Sequence, residues 1–479
     1  MMSNVFRNIP SVNELLDSPP LRQLVERANR NAVVSGVRRF LDNLRNEVQA
    51  AAADIKVPHP SELAERIAQW IVTEDMPNLR PAINATGILL HTGLGRAPLA
   101  ETALQAIADA ARSYASLEVD VSTGERSQRV RDVEVLLKRM TGAEAAAVVN
   151  NNAGGTLLTL AALARSREVI VSRGQLIEIG GSYRLPEVME ASGVKLREVG
   201  TTNKTRIDDY RAAIGPDTGA LMRVHASNYA IAGFTEQASL AELVALGAQH
   251  HVPVIDDIGS GAMEDLSRYG ISGEPVVGDS LRAGADVVLF SGDKLLGGPQ
   301  CGIILGRKGL IQQIVQHPLA RALRVDKLTL AALLETLRLH QDREAAERSL
   351  PLLSLLSTSG ANLQQRAQRL APQLAACPAI KSAEVVESQG YLGGGSVPSQ
   401  SLPSWAVSLQ PSRGSVDELA RLLRMGTPAV FGRIYKDRLL LDLRAVFPRE
   451  DMRIAEAVQQ IQTRLSGDSV PDAAPSDAS

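Results

Sequence analysis

The sequence predicts an α/β fold around a mostly parallel central sheet, and two observations carry that prediction. From about residue 80 to 320, short runs rich in β-branched residues alternate with helical segments. The intervals between most of these runs suit crossover helices, which join parallel strands and cover both faces of a sheet. The predicted strands are Ala145–Val149, Glu168–Val171, Lys195–Val199, Ala220–Val224, Val252–Ile255, Asp286–Phe290 and Gly302–Leu305.

A small helical domain is predicted before the sheet, over residues 1–78. Val33, Val37, Phe40 and Leu44 recur there at a helical interval, which indicates one buried helix face. Arginines on this domain are interleaved with acids. From composition alone, a solvated helix face is therefore the better interpretation of these charges.

The rest of the chain predicts a large sheet domain, a smaller domain and a tail. The sheet domain covers residues 79–325. Residues 326–465 hold a helical stretch, about Lys327–Gln368, and then an α+β domain with a loop at Leu392–Pro398. Residues 466–479 are rich in Ser, Asp, Ala and Pro, which predicts a disordered tail.

The composition limits the classes of function. A net charge of −2 over 479 residues gives no global basic field for nucleic acid, so an RNA-binding surface would have to be a local patch. Cys301 and Cys377 show no metal-ligand spacing and are expected to be reduced thiols, so we predict no metal site. No apolar run reaches membrane-spanning length, and the N-terminus lacks a signal-peptide pattern. We expect a cytoplasmic protein with no membrane partner.

A glycine-rich loop after a predicted strand presents Ser291, Asp293 and Lys294 together. A lysine at the mouth of a sheet can lose solvation, which lowers its pKa and lets it form a Schiff base with a carbonyl. Enzymes that use pyridoxal 5'-phosphate (PLP) need such a lysine, with a Ser or Thr nearby for the phosphate. A Ser-x-x-Lys string is weak evidence alone, because most such lysines are solvated surface residues.

Two earlier loops would complete a PLP site. The small-residue turn Asn152–Gly155 joins a strand to a helix, and backbone N–H groups at such a helix start can hold a phosphate. Simple N-capping of the helix by Asn152 is the alternative. Asp256 and Asp257 end another strand, and one carboxylate could keep the pyridine nitrogen protonated. Neighbours on an extended segment point to opposite faces, so only one of the two can reach the ring.

Further loops offer candidates for substrate binding. Thr201 and Thr202 follow a strand directly, and they either contact substrate or form an ordinary turn. Arg96 precedes the sheet. Arg321 and Arg324, three residues apart, would share a helix face and could bind an anionic group. Such a pair more often forms salt bridges at a surface or between subunits, and the residues alone leave both interpretations open.

The order of these loops along the chain is more specific than any one of them. A phosphate turn comes first, then an aspartate, then Ser-x-x-Lys one helix and one strand later. This is the order found in the aminotransferase-like PLP fold, called fold type I.

Longer runs distributed along the chain form a recognisable set. They are Ser11–Leu16, Asn84–Gly87, Leu94–Pro98, Thr141–Ala145, Val149–Ala153, Glu178–Gly181, Val199–Thr205, Ser227–Tyr229, Gly259–Gly261, Ser291–Gln300, Arg321–Lys327, Gly393–Ser396 and Leu439–Arg444. This set resembles the bacterial selenocysteine synthase family, whose members are L-seryl-tRNA(Sec) selenium transferases. The resemblance spans nearly the whole chain except the tail.

The resemblance implies roles for individual residues. Lys294 would be the Schiff-base lysine, with Asp293 close to the active centre, and Asp257 would partner the pyridinium. The cofactor phosphate would bind at Asn152, Ala153, Gly154 and Gly155, with Ser291 nearby. Selenophosphate would bind at Arg96, Arg321 and Arg324, with Thr201 and Thr202 near the substrate.

The resemblance also implies a reaction and partners. Seryl-tRNA(Sec) would lose its β-hydroxyl as water, and selenium from selenophosphate would add to the resulting dehydroalanyl group. The N-terminal helical domain would recognise the tRNA. The active form would be a homodecamer, a ring of five dimers. The sequence departs from the family pattern at Gly93, Ser127, Gln175 and Gly154–Gly155, where Asn, Gly, Glu and Ala-Ala are common.

Two other functions fit parts of the sequence. A related PLP-dependent lyase or deaminase, acting on a small phosphorylated amino acid or amino sugar acid, would use the same lysine, aspartate and arginines. The N-terminal helical domain argues against it. A non-catalytic tRNA-binding homologue would keep the fold, but retention of Ser291, Asp293 and Lys294 argues against that.

Overall fold

The computed structural model describes residues 9–27, 30–50, 58–74, 79–181, 183–226, 228–393 and 396–465. The chain forms two compact units, Met1–Pro81 and Ala82–Ser479. The predicted tail, residues 466–479, lies outside the described residues, as do Ser227 and Gly394–Gly395 of the runs quoted above. None of the helices within the described ranges is both long and apolar enough to cross a membrane.

The first unit is a set of helices packed around one apolar core. Val33 and Val37 are fully buried there, as their helical spacing predicts. Gly36 lets helices approach closely, because a Cβ at that position would lie 2.6 Å from Ile71. Phe40 packs edge-on against Trp70, with ring centroids 5.6 Å apart. The helices are α1 (Val12–Leu16), α2 (Pro19–Arg27), α3 (Arg30–Ala50) and α4 (Pro60–Glu74).

The second unit alternates strands and helices. Its strands are β1 (Ala82–Asn84), β2 (Ile88–Leu90), β3 (Ala145–Val149), β4 (Glu168–Ser172), β5 (Glu178–Ile179), β6 (Tyr183–Arg184), β7 (Lys195–Val199), β8 (Lys204–Thr205), β9 (Thr218–Val224), β10 (Glu236–Gln237), β11 (Val254–Gly259), β12 (Val287–Ser291), β13 (Gly302–Gly306), β14 (Ile380–Gly393), β15 (Ser396–Pro411), β16 (Ala429–Phe431), β17 (Arg433–Tyr435) and β18 (Arg438–Asp442).

Its helices are α5 (Glu101–Arg112), α6 (Arg131–Thr141), α7 (Asn152–Ala164), α8 (Leu185–Ala191), α9 (Ile207–Ala213), α10 (Leu240–His250), α11 (Val277–Arg282), α12 (Lys308–Gln316), α13 (Leu319–Ala322), α14 (Lys327–Leu339), α15 (Arg343–Ser349), α16 (Pro351–Ser357), α17 (Gly360–Ala375), α18 (Val416–Arg424) and α19 (Asp451–Leu465).

The central sheet has seven strands in the order β3-β13-β12-β11-β9-β4-β7. They are the seven strands that the sequence predicts, and the α/β fold is confirmed. All neighbours are parallel except around β13, which runs antiparallel to both β12 and β3. Strands β3, β12 and β13 are buried at every position, as expected when helices cover both faces.

The C-terminal part is organised differently from the prediction in three places. The helical stretch Lys327–Gln368 is divided among α14, α15, α16 and α17, with Pro351 at the start of α16. The predicted loop Leu392–Pro398 is shorter, because β14 continues to Gly393 and β15 begins at Ser396. Strands β1 and β2 pair with β16 and β14, so residues 79–325 do not form a closed unit by themselves.

Candidate active site

A cavity of about 280 Å³ opens at the carboxyl ends of the central strands. Ligands of open α/β sheets collect at this edge, because the loops that follow neighbouring strands meet there. Seven of the predicted site residues line the cavity: Arg96, Asn152, Ala153, Asp257, Ser291, Asp293 and Lys294.

Lys294 lies in the loop between β12 and β13 and is only 4 % exposed. Burial lowers the pKa of its amine, and the positive charge of Arg96 adds to this effect. Gly259 ends β11 with a φ of 66°, a conformation that favours glycine, and a Cβ there would lie 3.9 Å from Lys294 Nζ. The lysine is thus a desolvated amine facing a cavity, the state in which an amine is nucleophilic.

The two adjacent aspartates have different surroundings. Asp257 lines the cavity and accepts hydrogen bonds from Asn152 Nδ2 at 2.9 Å and Thr156 Oγ1 at 2.8 Å. Burial raises its pKa, and these hydrogen bonds oppose that shift. Asp256 is fully buried and pairs with Arg223, with contacts of 2.7 and 3.1 Å. Asp257 is therefore the carboxylate available to a ligand in the cavity.

The predicted phosphate turn opens helix α7, and the alternative interpretation of the turn, N-capping by Asn152, is wrong. Asn151, not Asn152, caps the helix by accepting from Gly154 N at 2.8 Å. Asn152 and Ala153 line the cavity, and their N–H groups belong to the first turn, which has no acceptor within a helix. Gly154 and Gly155 are buried where the helix packs, and both of their N–H groups bond to Asn151.

Arg96 and Asp293 form an ion pair at the edge of the cavity. Arg96 Nη1 donates to Asp293 Oδ2 at 2.8 Å, and the two side chains are 25 % and 10 % exposed. The backbone also joins the two loops, since Ala97 N donates to Asp293 O at 3.3 Å. Arg96 itself has a φ of 60°, an uncommon conformation for a non-glycine residue. The ion pair therefore holds a guanidinium beside Lys294.

Four predicted substrate-binding residues do not line this cavity. Thr201 and Thr202 are exposed, and the Thr201 hydroxyl bonds to Lys204 O within its own turn at 3.0 Å. Arg321 and Arg324 are also exposed.

The prediction that Arg321 and Arg324 share a helix face is wrong. Helix α13 ends at Ala322, because Leu323 O turns to accept Asn150 N at 3.0 Å. Arg324 lies beyond that end, with its guanidinium 3.3 Å from Glu118.

Sequence reasoning missed several side chains of the cavity wall, among them His225 and Tyr183. His225 follows β9, and burial together with the charges of Arg223 and Lys294 lowers its pKa to about 4. Tyr183 lies in β6, and burial and the nearby Asp257 raise the pKa of its hydroxyl. The position of His225 directly after a predicted strand could have marked it as a cavity residue. Tyr183 had no such signal, since β6 is two residues long.

One departure from the family pattern also lies near the site. Gln175 is buried, and its side-chain oxygen accepts Val224 N at 3.0 Å, so a neutral amide stands where a carboxylate is frequent. Gly93 and Ser127 do not line the cavity.

Comparison with known proteins identifies the family. Residues 82–447 match the family model for L-seryl-tRNA selenium transferase, and residues 6–45 match that for the N-terminal part of selenocysteine synthase. The L-seryl-tRNA(Sec) selenium transferase of Moorella thermoacetica is 47 % identical over 458 residues, covering 95 % of this chain and 97 % of that protein. The enzyme of the same name from Carboxydothermus hydrogenoformans is 44 % identical, covering 94 % and 96 %.

A solved structure with the same fold is D-glucosaminate-6-phosphate ammonia-lyase. It aligns with a TM-score of 0.56 at 22 % identity, covering 81 % of this chain and 97 % of that one. At this identity the likeness shows the fold alone. The two family matches and the near full-length relatives show more: this chain belongs to the L-seryl-tRNA selenium transferase family.

Proposed function

We propose that this chain converts L-seryl-tRNA(Sec) to L-selenocysteinyl-tRNA(Sec), with PLP as cofactor and selenophosphate as selenium donor. The observation that carries the proposal is the desolvated Lys294 amine, which faces the same cavity as the hydrogen-bonded Asp257 carboxylate. Family membership supplies the substrate, since the relatives are named for a transfer to seryl-tRNA(Sec).

The residues of the cavity suit PLP. Asn152 Oδ1 is buried with no hydrogen-bond partner among the residues that the structure describes, which is typical of a site built for a polar ligand. Lys294 would hold the cofactor carbonyl, and Asp257 its ring nitrogen. The amides of Asn152 and Ala153, with the Ser291 hydroxyl, would bind the phosphate. When bound, PLP supplies an electron sink for the charge left on the α-carbon after its proton is removed.

The side chains of this protein divide the remaining work. Lys294, whose pKa burial lowers, takes the α-proton of the serine, because a neutral amine is a base. Asn152 and Thr156 fix the Asp257 carboxylate in one orientation. Asp293 orients Arg96, whose guanidinium is suited to bind an anionic donor. Arg321, Arg324, Thr201 and Thr202 stay predictions for donor and substrate binding.

The RNA partner requires a surface beyond the cavity. We assign tRNA recognition to the N-terminal unit, which the match at residues 6–45 supports. We also propose a cytoplasmic homodecamer built from dimers, as the family resemblance implies.

The test is turnover of seryl-tRNA(Sec) with selenophosphate by purified full-length protein. We expect selenocysteinyl-tRNA(Sec) as product, and loss of this turnover when residues 1–78 are removed. The absorbance of bound PLP in the shortened protein controls for folding of the remainder. Turnover of a free phosphorylated amino acid without tRNA would instead establish the lyase function. Absence of bound PLP would rule out both.

A further inference from the structure

The loop that carries Lys294 is a buried turn, and much of its backbone is held by other backbone groups. Every residue from Ser291 to Gly298 is buried. Gly297 N donates to Lys294 O at 2.9 Å, and Leu295 N donates to Ser260 O at 2.9 Å. A buried backbone group without a partner is costly, so the other carbonyl groups of the turn also need donors.

His340 supplies the donor for one of these carbonyl groups. Its Nε2 lies 2.8 Å from the carbonyl oxygen of Leu296, which is two residues beyond Lys294. A carbonyl oxygen can only accept, so the imidazole must carry a proton on Nε2. Among the residues that the structure describes, His340 is the one side chain seen to donate to a carbonyl of the segment Gly292–Gly298.

The helix that precedes His340 packs against the same turn. His340 directly follows α14, and Thr336 lies one helical turn earlier on the same face. Thr336 is fully buried, and a Cβ at Gly298 would lie 3.2 Å from its Cγ2. The turn is therefore supported at two points, by packing at Gly298 and by the hydrogen bond at Leu296.

His340 is a neutral donor at pH 7 and above. Burial lowers its pKa below the ordinary 6.5, while the hydrogen bond to Leu296 O and the charge of Glu264 oppose that shift. His340 is not among the residues that line the cavity. It can therefore act on Lys294 through the turn, and not by touching a ligand.

We propose that His340 is a positioning residue for Lys294, because its Nε2–H holds the turn that keeps the amine desolvated at the cavity. The inference rests on the proposed function, in which Lys294 is the reactive amine. Without this donor, Leu296 O would be buried and unpaired, and the turn would open until water reached that carbonyl. Lys294 would then gain solvent and lose its fixed place at the cavity.

The test compares two amide side chains that differ in reach. His340→Gln places an N–H donor at about the distance of Nε2 from the backbone, whereas the amide of His340→Asn is one methylene shorter and does not reach Leu296 O. Full-length protein is freed of cofactor with hydroxylamine and acetylated with acetic anhydride across a range of pH. Labelling of Lys294 is followed by mass spectrometry.

We expect the Lys294 labelling midpoint of His340→Asn to lie about one pH unit above that of the wild type. Burial lowers the pKa of this amine, so renewed solvation raises it again. The charged groups that act on Lys294 are the same in both variants; they are Arg96, Asp257, Asp293 and Glu274. His340→Gln should therefore keep the wild-type midpoint.

Cofactor binding provides a second measurement. PLP is added back to the cofactor-free proteins, and its Kd is read from the absorbance band of the bound cofactor. We expect about tenfold weaker binding for His340→Asn, because binding must first restore the closed turn. His340→Gln should bind PLP as the wild type does.

Ser192→Ala is the matched control. It removes another buried hydrogen bond from a side chain to a carbonyl, that of Met189, at a position that does not line the cavity. We expect it to leave the Lys294 midpoint and the Kd unchanged, even where it lowers the melting temperature.

A wild-type Lys294 midpoint and a wild-type Kd in His340→Asn would overturn the inference. So would a His340→Gln protein that behaves like His340→Asn, since a restored donor should restore the turn. Failure of both variants to fold while Ser192→Ala folds would assign His340 a purely structural role and would also overturn it. Failure of the proposed function looks different: the wild-type protein would lack the cofactor band, while the labelling result would stand.

Discussion

The cavity floor and the outer residues are held in different ways. By cavity floor we mean Asn152, Asp257 and Lys294; by outer residues we mean Arg321 and Arg324. The floor residues come from three separate elements, and Asp257 and Lys294 are buried. The outer residues are exposed, and Arg324 pairs with Glu118, away from the cavity. The difference indicates that the floor is preorganised for its ligand, whereas nothing in the described structure of one chain orders the outer residues around a donor.

The largest effect is expected at the floor, from Lys294→Ala. This variant removes the amine that would hold the cofactor, so the absorbance band of bound PLP and all selenium transfer should disappear. Lys195→Ala, at an exposed position in β7, is the matched control and should retain both. A Lys294→Ala protein that kept the band would show that another group holds the cofactor.

The adjacent aspartates provide the next test, because they differ in partner but not in chemistry. Asp257→Asn keeps the shape of the side chain and removes its charge. We expect kcat to fall on the order of 10²–10³-fold, with little change in stability. Asp256→Asn instead leaves Arg223 without its buried partner. We expect it to lower the free energy of unfolding by about 3 kcal/mol, with a smaller effect on turnover.

Both properties are measured in both variants, by urea unfolding and by steady-state kinetics. The assignment of Asp257 to the cofactor fails if Asp257→Asn keeps its turnover while Asp256→Asn loses it.

The same contrast explains how far the sequence predicts this structure. All seven central strands are predicted, six of them because a strand buried in a parallel sheet is a largely apolar run. The edge strand β7 has exposed residues at Lys195, Arg197 and Glu198, and its place in the alternation of strands and helices predicts it instead. Chain order along that sheet then placed Asp257 and Lys294 at one edge. The two adjacent aspartates lie on opposite faces of β11, as alternation along a strand predicts, because Asp256 pairs with Arg223 and Asp257 lines the cavity.

Features that depend on tertiary contacts were not predictable. Helix α13 ends early because Leu323 O bonds to Asn150 N, a contact between distant segments. The turn that opens α7 lies where the sequence predicts a strand-to-helix turn, but the identity of the capping asparagine depends on a distant contact, because the Asp257 carboxylate accepts a hydrogen bond from Asn152.

An effect of intermediate size is expected at His225, in the wall above the floor. Burial lowers its pKa from the ordinary 6.5 to about 4, so between these values the unfolded chain binds a proton that the folded chain does not. Stability attributable to His225 is therefore complete above about pH 6.5 and is lost as the pH falls towards 4. The loss at pH 5 relative to pH 7.5 is about 2 kcal/mol.

His225→Gln removes this titration. The variant should lose about 2 kcal/mol less than the wild type between pH 7.5 and pH 5, as measured by urea unfolding at both values. An equal loss in the two proteins would show that the histidine is not kept neutral by the fold.

The smallest effects are expected from the outer residues. Arg321→Ala and Arg324→Ala each remove an exposed charge, so each should raise the KM for selenophosphate by less than about tenfold and leave kcat unchanged. Arg324→Ala also breaks an exposed ion pair, but Glu118 keeps Arg129 at 2.8 Å, so the melting temperature should not change. Arg96→Lys is the comparison at the cavity, and the loss of its fixed guanidinium geometry should raise KM further. Arg321→Ala could instead raise the KM for selenophosphate more than Arg96→Lys does. The outer residues would then have to be ordered around the donor by contacts beyond a single chain. In that case the contrast between the cavity floor and the outer residues would describe the isolated subunit only.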